Sequence, residues 1–204
     1  DEQTAGRGRL GRSWAAPPGT AVLCSVLLEP DPGRNAAELS LVGGLAAAHT
    51  VEAVTGRPAG IKWPNDVLLA GRKVVGVLAE TAGGMVVLGV GLNVNQTEDQ
   101  LPRDARVPPT SLLACDGVRR ARAPILADLL YRLELAYERW RSGGLPLLHG
   151  ELAERDALRG RSVVVDGAPA LAVGITSSGR LEVEANGTRR LVESGDVAVA
   201  ATPA

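Results

Sequence analysis

The residues with the clearest chemical potential lie near the start of the chain, where arginine and glycine alternate in the segment GRGRLGR at residues 6–12. Its glycines match the GxGxxG spacing of dinucleotide-binding loops, but such a loop needs a strand before it and a helix after it. Here polar residues precede the segment and Pro17-Pro18 follows it, without the Gly-Lys-Ser/Thr of a P-loop. What remains is a glycine loop whose three guanidinium groups could surround an anion. A solvated basic turn is the alternative interpretation.

Three further segments combine charged or amide side chains with glycine or proline. They are KWPND at residues 62–66, KVVGVLAE at residues 73–80 and GVGLNVN at residues 89–95. The first groups a cation, an indole, a rigid turn and a polar pair, and the other two place glycines inside strands, where a ligand can approach the backbone. Taken singly, each has a structural explanation as a β-bulge or as an Asn-Asp turn after proline. Their order and spacing together indicate a ligand site.

Lysine is rare in this chain, which makes its two occurrences informative. Of 22 basic residues, 20 are arginine, and only Lys62 and Lys73 are lysine. A compact ammonium and a planar guanidinium are not interchangeable at a tight site. The two lysines therefore indicate positions where arginine would fail, unless their placement is chance.

The apolar pattern predicts the elements that must hold these groups. Residues 1–19 are polar, rich in glycine and arginine, and closed by Pro-Pro-Gly, which indicates a loop. Residues 20–28 are predicted to form a buried strand. Asn35 and Glu38 have the spacing of a capping box before an Ala/Leu-rich helix that ends at Gly56.

The rest of the chain divides into strands, helices and a second group of strands. Short apolar runs at residues 60–94 predict consecutive antiparallel strands. Residues 95–122 are predicted to be irregular, residues 124–141 to form a helix with its proline in the first turn, and residues 147–158 to form a short helix. The apolar positions of the longer helix are Ile125, Leu129, Leu133, Ala136 and Trp140. From residue 161 onward, turn residues recur about every 8 to 12 positions, as in a small β-barrel.

Composition limits the classes of function that the chain can have. Its 204 residues, 45% of them apolar, suffice for one full-size core and a small module. A formal net charge of −1, without a basic cluster beyond residues 7–12, argues against a nucleic-acid partner. No apolar run reaches the roughly 18–20 residues of a membrane span, and the first residues do not resemble a signal peptide. Cys24 and Cys115 lack metal-site spacing, which fits reduced thiols in the cytoplasm.

The four segments resemble the ordered motif set of the biotin–protein ligases, which is a GRGRxGR loop, KWPND, KxxGxLxE and a GxGxN strand. The resemblance runs from Gln3 to Asn95. It implies an α+β fold in which a mixed, mainly antiparallel sheet packs with helices, as in the class II synthetase-like biotin/lipoate ligase fold, followed by a small SH3-like β-barrel. The implied domains are a biotin- and ATP-binding catalytic domain at residues 1–157 and an SH3-like domain at residues 158–204.

The resemblance implies an enzyme that uses ATP and Mg²⁺ to convert biotin to biotinyl-5′-AMP. The biotin would then pass to a lysine of a biotin carboxyl carrier protein. Two alternatives stay open, which are a lipoate–protein ligase-like acyl transfer and a non-catalytic biotin-binding regulator. A comparison of labelled biotin with labelled lipoate as substrates would distinguish a biotin ligase from a lipoate ligase. The presence of Lys73 and Asp66 argues against a non-catalytic regulator.

The roles of the family's site residues carry over onto the matching positions. The catalytic residues implied are Lys73, which would bridge the biotin carboxylate and the α-phosphate, and Arg9. The residues implied to bind biotin are Gln3, Gly6, Arg7, Gly8, Arg9, Lys73, Gly76, Gly89 and Gly91. The residues implied to bind ATP are Arg9, Arg12, Trp14, Asn65, Asp66, Lys73 and Asn93. Asp66 would also bind Mg²⁺, the arginine loop would close over the adenylate, and the forked amide of Asn93 would read adenine.

The resemblance also implies parts that this sequence does not show. Family members carry a strand and a helix with a Ser-Thr-Asn motif before the arginine loop, so residue 1 is expected to lie within a longer chain. The sheet edge left without that strand would be open to a second copy, which makes a homodimer an expected arrangement. The DNA-binding helix-turn-helix of some relatives has no counterpart in these residues, which therefore give no indication of a repressor role.

Overall fold

The computed structural model describes residues 2–103, 105–195 and 197–200. The strands are β1 (Ala21–Leu28), β2 (Ala59–Lys62), β3 (Asp66–Leu69), β4 (Arg72–Ala82), β5 (Met85–Asn93), β6 (Ser162–Val165), β7 (Ala168–Ile175), β8 (Leu181–Ala185), β9 (Thr188–Val192) and β10 (Val197–Val199). The α-helices are α1 (Leu39–Thr55), α2 (Leu112–Asp116), α3 (Arg122–Gly143) and α4 (His149–Glu154). Short 3-10 helices span Arg9–Gly11, Ala36–Glu38, Glu98–Gln100 and Leu145–Leu147.

The first sheet is antiparallel throughout, in the order β1-β5-β4-β3-β2. The predicted meander between residues 60 and 94 is therefore confirmed. Because side chains alternate between the faces of a strand, β5 turns Leu88 and Val90 into the core and Gly89 and Gly91 to the other face. One face of the sheet is thus apolar and bulky, and the other is open at the glycines.

Helix α1 lies on the apolar face of this sheet and is buried along most of its length. A Cβ added at Gly43 would lie 3.1 Å from Val77 Cγ1 and 3.2 Å from Leu88 Cδ2, so glycine lets the helix approach the sheet closely. The predicted helix end is confirmed, because Gly56 adopts the left-handed conformation, with φ of 67°. The helix fixes which face of the sheet stays accessible.

The start of this helical segment differs in part from the prediction. Asn35 Oδ1 accepts a hydrogen bond from the Ala37 amide at 3.1 Å, as a helix cap does. Glu38, however, does not complete a capping box. Its Oε2 accepts a hydrogen bond from Trp140 Nε1 at 2.7 Å, so a tertiary contact takes the place of the local one.

Helix α3 packs against α1 and confirms the predicted apolar stripe. The buried residues of α3 are Ile125, Leu129, Leu133, Ala136 and Trp140. Trp140 is also stacked on Tyr137 at a ring-centroid distance of 5.7 Å. Among the described residues, no helix has a stretch long and apolar enough to cross a bilayer.

Two local predictions are corrected by the structure. Residues 95–122 contain α2, which begins where Ser111 Oγ accepts a hydrogen bond from the Ala114 amide at 2.9 Å and ends at Gly117 in the left-handed conformation. The helix predicted for residues 147–158 is shorter, because after α4 the chain pairs with Ile61 of β2 instead of continuing the helical turns.

The second sheet, in the order β10-β6-β7-β8-β9, is also antiparallel. The predicted turns are present, since Gly167, Gly179 and Gly187 all have positive φ. Within the described ranges β9 does not pair with β10, so the sheet is open instead of closed into a barrel. The α+β fold class is confirmed. Buried residues of both sheets form one continuous core, and the division at residues 157/158 stays a prediction.

Candidate active site

A cleft of about 1120 Å³ lies over the face of the first sheet that carries the glycines. The predicted site residues that line it are Gln3, Arg7, Gly8, Arg9, Arg12, Trp14, Asn65, Asp66, Lys73, Gly76, Gly89, Gly91 and Asn93. Gly6 is not among the lining residues. A Cβ at Gly6 would collide with the Trp14 carbonyl oxygen, so this glycine is needed for the path of the loop itself.

The arginine loop folds back on itself beside the cleft. The Gly8 amide donates a hydrogen bond to the Arg12 carbonyl at 2.6 Å, and the Trp14 amide donates to the Gly6 carbonyl at 2.9 Å. A short 3-10 turn at Arg9–Gly11 forms the tip. In the described residues the loop is followed by strand β1, and not by the α-helix of a dinucleotide-binding fold. The prediction of a loop, and not a Rossmann motif, is confirmed.

Arg9 connects the loop to two residues that come shortly before strands β3 and β10. One guanidinium nitrogen lies 3.5 Å from Asn65 Oδ1 and 3.4 Å from the carbonyl oxygen of Gly195, so these hydrogen bonds are long. Burial lowers the pKa of the Arg9 guanidinium, Asp66 acts against that effect, and Arg12 reinforces it. A partly buried cation with weak protein contacts is available to an anionic ligand.

Arg7 and Arg12 occupy more exposed positions on the same loop. An Arg7 guanidinium nitrogen lies 3.4 Å from Glu80 Oε2 on β4, with both side chains largely exposed. Arg12 Nε donates a hydrogen bond to the Arg9 carbonyl at 3.2 Å. The exposed Arg7–Glu80 pair stabilises the loop only weakly. The loop is therefore held to β4 by a contact that can open.

Lys73 and Asp66 form an ion pair in the cleft. Lys73 Nζ lies 2.6 Å from Asp66 Oδ1, with side-chain exposures of 25% and 12%. The geometry is that of an ion pair without an aligned hydrogen bond, because Oδ1 is buried and receives no hydrogen bond from the described residues. The backbone of Lys73 is fixed by hydrogen bonds to Pro108 and Thr110, each 2.8 Å long. The Lys73 ammonium is thus held near the start of β4.

The indole of Trp14 lies against two neighbouring glycines of the cleft floor. Gly76 and Gly91 are directly opposite each other in the β4–β5 ladder. A Cβ at Gly76 would lie 2.8 Å from the Trp14 ring, and one at Gly91 would lie 2.5 Å from it. Lys73 Nζ is 5.6 Å from the ring centroid. Trp14 Nε1 is buried without a hydrogen-bond acceptor in the described residues. The ring covers the part of the floor that the glycines leave open.

The two predicted asparagines are fixed by hydrogen bonds within the protein. Asn65 Nδ2 donates to the Val77 carbonyl at 2.8 Å, and the Val77 amide donates to the Asn65 carbonyl at 2.9 Å. Asn93 Nδ2 donates to the Thr110 carbonyl at 2.9 Å, and its Oδ1 accepts from Gln96 Nε2 at 2.8 Å. The Asn93 amide keeps one N–H and one lone pair for a ligand.

Several lining residues were not assigned to the site from the sequence. They include Ser25 on β1, Lys62, Arg106, Arg161 and Val199. For Lys62 a signal existed, since it is one of two lysines and lies inside the KWPND motif. The others come from segments far away in the chain that carry no recognisable motif, and their place in the cleft is set by tertiary packing.

The carboxylate of Asp66 is suited to a magnesium ion that is shared with a phosphate ligand. Among the described residues, no group of three or more His, Cys, Asp or Glu side chains could hold a metal unaided. Mg²⁺, however, is commonly bound through one or two carboxylates and the phosphates of a substrate. Asp66 Oδ1, buried and without a hydrogen bond, fits that kind of site.

Comparisons with known proteins show what this chain is similar to. Residues 1–96 match the Biotin/lipoate A/B protein ligase family. Bifunctional ligase/repressor BirA of Bacillus spizizenii is 36% identical over 150 residues, which cover 71% of this chain and 46% of that protein. The chain therefore spans about half the length of this relative. Biotin–[acetyl-CoA-carboxylase] ligase of Mycobacterium tuberculosis is 38% identical over 207 residues, which cover 97% of this chain and 76% of that protein.

The fold has a close counterpart among solved structures. Biotin protein ligase from Aquifex aeolicus in complex with biotin and ATP superposes with a TM-score of 0.89 at 30% identity, covering 99% of this chain and 87% of that one. The sequence similarity to the M. tuberculosis ligase extends over nearly all of the chain and three quarters of that protein. On these grounds the chain belongs to the biotin–protein ligase family.

Proposed function

We propose that the chain activates biotin with ATP to form biotinyl-5′-AMP and transfers the biotinyl group to a lysine of a biotin carboxyl carrier protein. The observation that supports this most strongly is the Lys73–Asp66 ion pair, which lies in one cleft with the arginine loop and the glycine floor. The related M. tuberculosis protein is named as a biotin ligase, and the A. aeolicus structure contains biotin and ATP.

The first step requires charge neutralisation more than it requires a general base. A biotin carboxylate, with an ordinary pKa near 4, is already ionised at neutral pH. Its oxygen attacks the α-phosphorus of ATP, and the bond from that phosphorus to the β-phosphate bridging oxygen breaks, so that pyrophosphate leaves with the electron pair. Lys73 can neutralise the two anions as they approach, and Arg9 and Arg12 add positive charge around them.

The residue assignments form part of the same proposal. Biotin would lie over the glycine floor, in contact with Gln3, Arg7, Gly8, Gly76, Gly89 and Gly91. Because Trp14 now covers Gly76 and Gly91, its indole would have to move for biotin to reach them. It could then pack over the adenylate, where its unpaired N–H gains an acceptor. Asn93 would contact adenine through the N–H and lone pair that its protein contacts leave free.

Magnesium is the cofactor that this proposal includes. Asp66 would hold it together with the phosphates of ATP, and Asn65 lies next to that carboxylate in a fixed orientation. When bound, Mg²⁺ neutralises negative charge on the phosphates. The Lys73–Asp66 contact would then become one part of a larger group of charges around the α-phosphate.

In the second step the acceptor lysine attacks the carbonyl carbon of the mixed anhydride, and AMP leaves. The anhydride must be shielded from water until the acceptor arrives. The arginine loop is the element suited to that role, since Arg9 is held by two long hydrogen bonds and Arg7 by an exposed ion pair. A loop held in this way can open for the acceptor.

The proposal includes the oligomeric state and the cellular location of the protein. Strands β1 and β2 are the outer strands of the first sheet in the described residues, and pairing through such an edge is the kind of contact that a homodimer could use. Cys24 and Cys115 are both free thiols, which suits the reducing cytoplasm.

Biotin-dependent exchange of labelled pyrophosphate into ATP tests the proposal. The expected result is exchange that requires biotin and Mg²⁺ and does not occur with lipoate in place of biotin. Transfer of labelled biotin to a carboxyl carrier domain tests the second step. Exchange driven by lipoate alone would favour a lipoate ligase, and binding of biotin without any exchange would favour a non-catalytic regulator.

A further inference from the structure

Arg72 connects two segments that are distant from it in the chain. It is the first residue of β4, directly before Lys73, and it is not among the described residues that line the cleft. Its guanidinium donates a hydrogen bond to each carboxylate oxygen of Glu98, both at 2.7 Å, and another to the Pro109 carbonyl at 2.6 Å. The hydrogen bond from Arg72 also holds the pKa of Glu98 below its ordinary value. A planar guanidinium of this kind holds two partners in a fixed relative position.

Residues 108–110 pair with the start of β4, and the pairing leaves the Pro109 carbonyl to Arg72. The Lys73 amide donates to the Pro108 carbonyl, and the Thr110 amide donates to the Lys73 carbonyl, each at 2.8 Å. In this parallel bridge Pro109 lies opposite Lys73 and turns its own backbone groups away from it. Because proline has no N–H, the carbonyl is the only backbone hydrogen-bonding group on that side. Arg72 therefore holds the side of this short segment that β4 does not reach.

The same segment also fixes Asn93 at the end of β5. Asn93 Nδ2 donates a hydrogen bond to the Thr110 carbonyl at 2.9 Å, and Thr110 is buried. Lys73 and Asn93 lie on different strands, and both line the cleft. Two groups of the site are thus tied to one segment of three residues. A shift of that segment would change the position of Lys73 relative to Asn93.

We infer that Arg72 is a positioning residue, which braces residues 108–110 and so sets the separation between Lys73 and Asn93. The inference rests on the proposed function, in which Lys73 lies between the biotin carboxylate and the α-phosphate and Asn93 contacts adenine. ATP and biotinyl-5′-AMP would reach both residues, whereas biotin alone would reach only Lys73. Contacts at two ends of a ligand are strongest when their separation is fixed before binding. Loss of the brace should therefore weaken the binding of the two nucleotides and leave that of biotin nearly unchanged.

The variant Arg72→Gln tests this, because it removes the guanidinium and leaves every cleft-lining residue in place. In biotin-dependent pyrophosphate exchange the KM for ATP should rise about 5- to 10-fold, the effect of losing roughly one hydrogen bond. The Kd of biotinyl-5′-AMP should rise by a similar factor. The Kd of biotin without ATP, measured by calorimetry, should change by less than about 2-fold, as for a residue distant from the ligand.

Glu98→Gln should have a smaller effect than Arg72→Gln, because the contact of Arg72 with Pro109 remains. The double variant should be no worse than Arg72→Gln alone, since both substitutions act on the same brace. Additive effects of the two substitutions would mean that Glu98 acts independently of Arg72 and would overturn the inference.

Arg139→Gln is the matched control. Arg139 on α3 makes the same kinds of contact outside the cleft lining, to a Glu151 carboxylate oxygen at 2.6 Å and to the Leu147 carbonyl at 2.7 Å. This variant should lower the melting temperature about as much as Arg72→Gln does, but it should leave the KM for ATP and both Kd values unchanged. The control therefore separates positioning of the site from a general loss of stability.

Hydrogen–deuterium exchange measures the brace without any ligand. The amides of Lys73 and Thr110 form the bridge to β4, so both should exchange faster in Arg72→Gln than in the wild type or in Arg139→Gln. Unchanged amide exchange, or equal weakening of biotin and biotinyl-5′-AMP, would overturn the inference. Faster amide exchange in Arg72→Gln, together with wild-type protein that shows no biotin-dependent pyrophosphate exchange, would instead overturn the proposed function.

Discussion

Replacing Gly91 by alanine should displace the Trp14 indole from the cleft floor. An alanine Cβ would lie 2.5 Å from Trp14 Cε2, 2.7 Å from Cζ2 and 2.9 Å from Nε1. Carbon atoms in favourable contact are about 3.5–4.0 Å apart, so the ring must shift by about 1 Å or more. Overpacking of this kind costs about 1–3 kcal/mol, which corresponds to a roughly 5- to 150-fold change in the population of the packed ring.

Tryptophan fluorescence can measure this displacement without any ligand. The chain has three tryptophans, and Trp63 and Trp140 are 1% and 0% exposed, so acrylamide should quench them little. In Gly91→Ala the quenching of the Trp14 component should increase, and adding Trp14→Phe should abolish that increase. Trypsin should also cut the arginine loop faster, because the indole that anchors one end of the loop has left the floor.

Gly89→Ala is the matched control on the same strand. A Cβ there would meet only the Leu78 carbonyl oxygen, at an ordinary 3.7 Å. This variant should leave both the quenching and the trypsin cleavage unchanged, although it alters the same cleft. Equal effects of the two alanines would refute the reasoning, since the argument depends on the difference between 2.5 Å and 3.7 Å.

Three further predictions concern Lys73, Arg9 and His49. Lys73→Ala should abolish pyrophosphate exchange while the protein stays folded, with a melting temperature lowered only by the loss of the ion pair with Asp66. Lys73→Arg should also be poor, because a planar guanidinium does not replace a compact ammonium. Arg9→Gly should still form the adenylate but release it faster in a filter-binding chase, because the contacts of the loop to Asn65 and Gly195 are lost. Burial, reinforced by Arg155, lowers the pKa of His49. Its contribution to stability is therefore complete above the unfolded pKa of about 6.5 and is lost as the pH falls through the lower folded pKa. Melting curves should record this loss, and His49→Gln should show a smaller one.

Each of the predictions for Lys73, Arg9 and His49 has an outcome that would contradict it. Near wild-type exchange in either Lys73 variant would mean that the bridging cation is misassigned. Adenylate release from Arg9→Gly at the wild-type rate would remove the loop from its shielding role. If the wild-type protein and His49→Gln lose stability in parallel between pH 7 and pH 5, the carboxylates and not His49 cause the acid sensitivity.

Features that depend on local alternation were predictable from the sequence. In β5 the bulky residues Leu88 and Val90 alternate with Gly89 and Gly91, and the structure turns the first pair into the core and the second to the cleft. The apolar stripe of α3 was predictable for the same reason, since helical spacing alone defines one face. The alternation of residues did not indicate that motifs distant in the chain lie in one cleft. That prediction came from the family resemblance.

Features that depend on tertiary competition were not predictable. Glu38 has the spacing of a capping-box residue, but the indole N–H of Trp140, distant in sequence, takes its carboxylate. The sequence assigns Trp14 to the ATP site, but it gives no indication that the Trp14 ring packs on Gly76 and Gly91. The contact of Arg9 with Gly195 joins the loop to a residue near the other end of the chain. No local pattern contains information about any of these contacts.

The spacing between the motifs is itself a consequence of the hairpin register. Strands β4 and β5 are joined by the two-residue turn Gly83-Gly84, in which both residues have positive φ, as a type I′ turn requires. That turn pairs Ala82 with Met85, and the ladder then pairs Gly76 with Gly91. A shift of one residue would turn every side chain of a strand to the opposite face. A longer loop in place of this turn would no longer fix the register of β4 and β5. The glycines would then lose their alignment with Asp66 and Lys62, although no site residue had been changed.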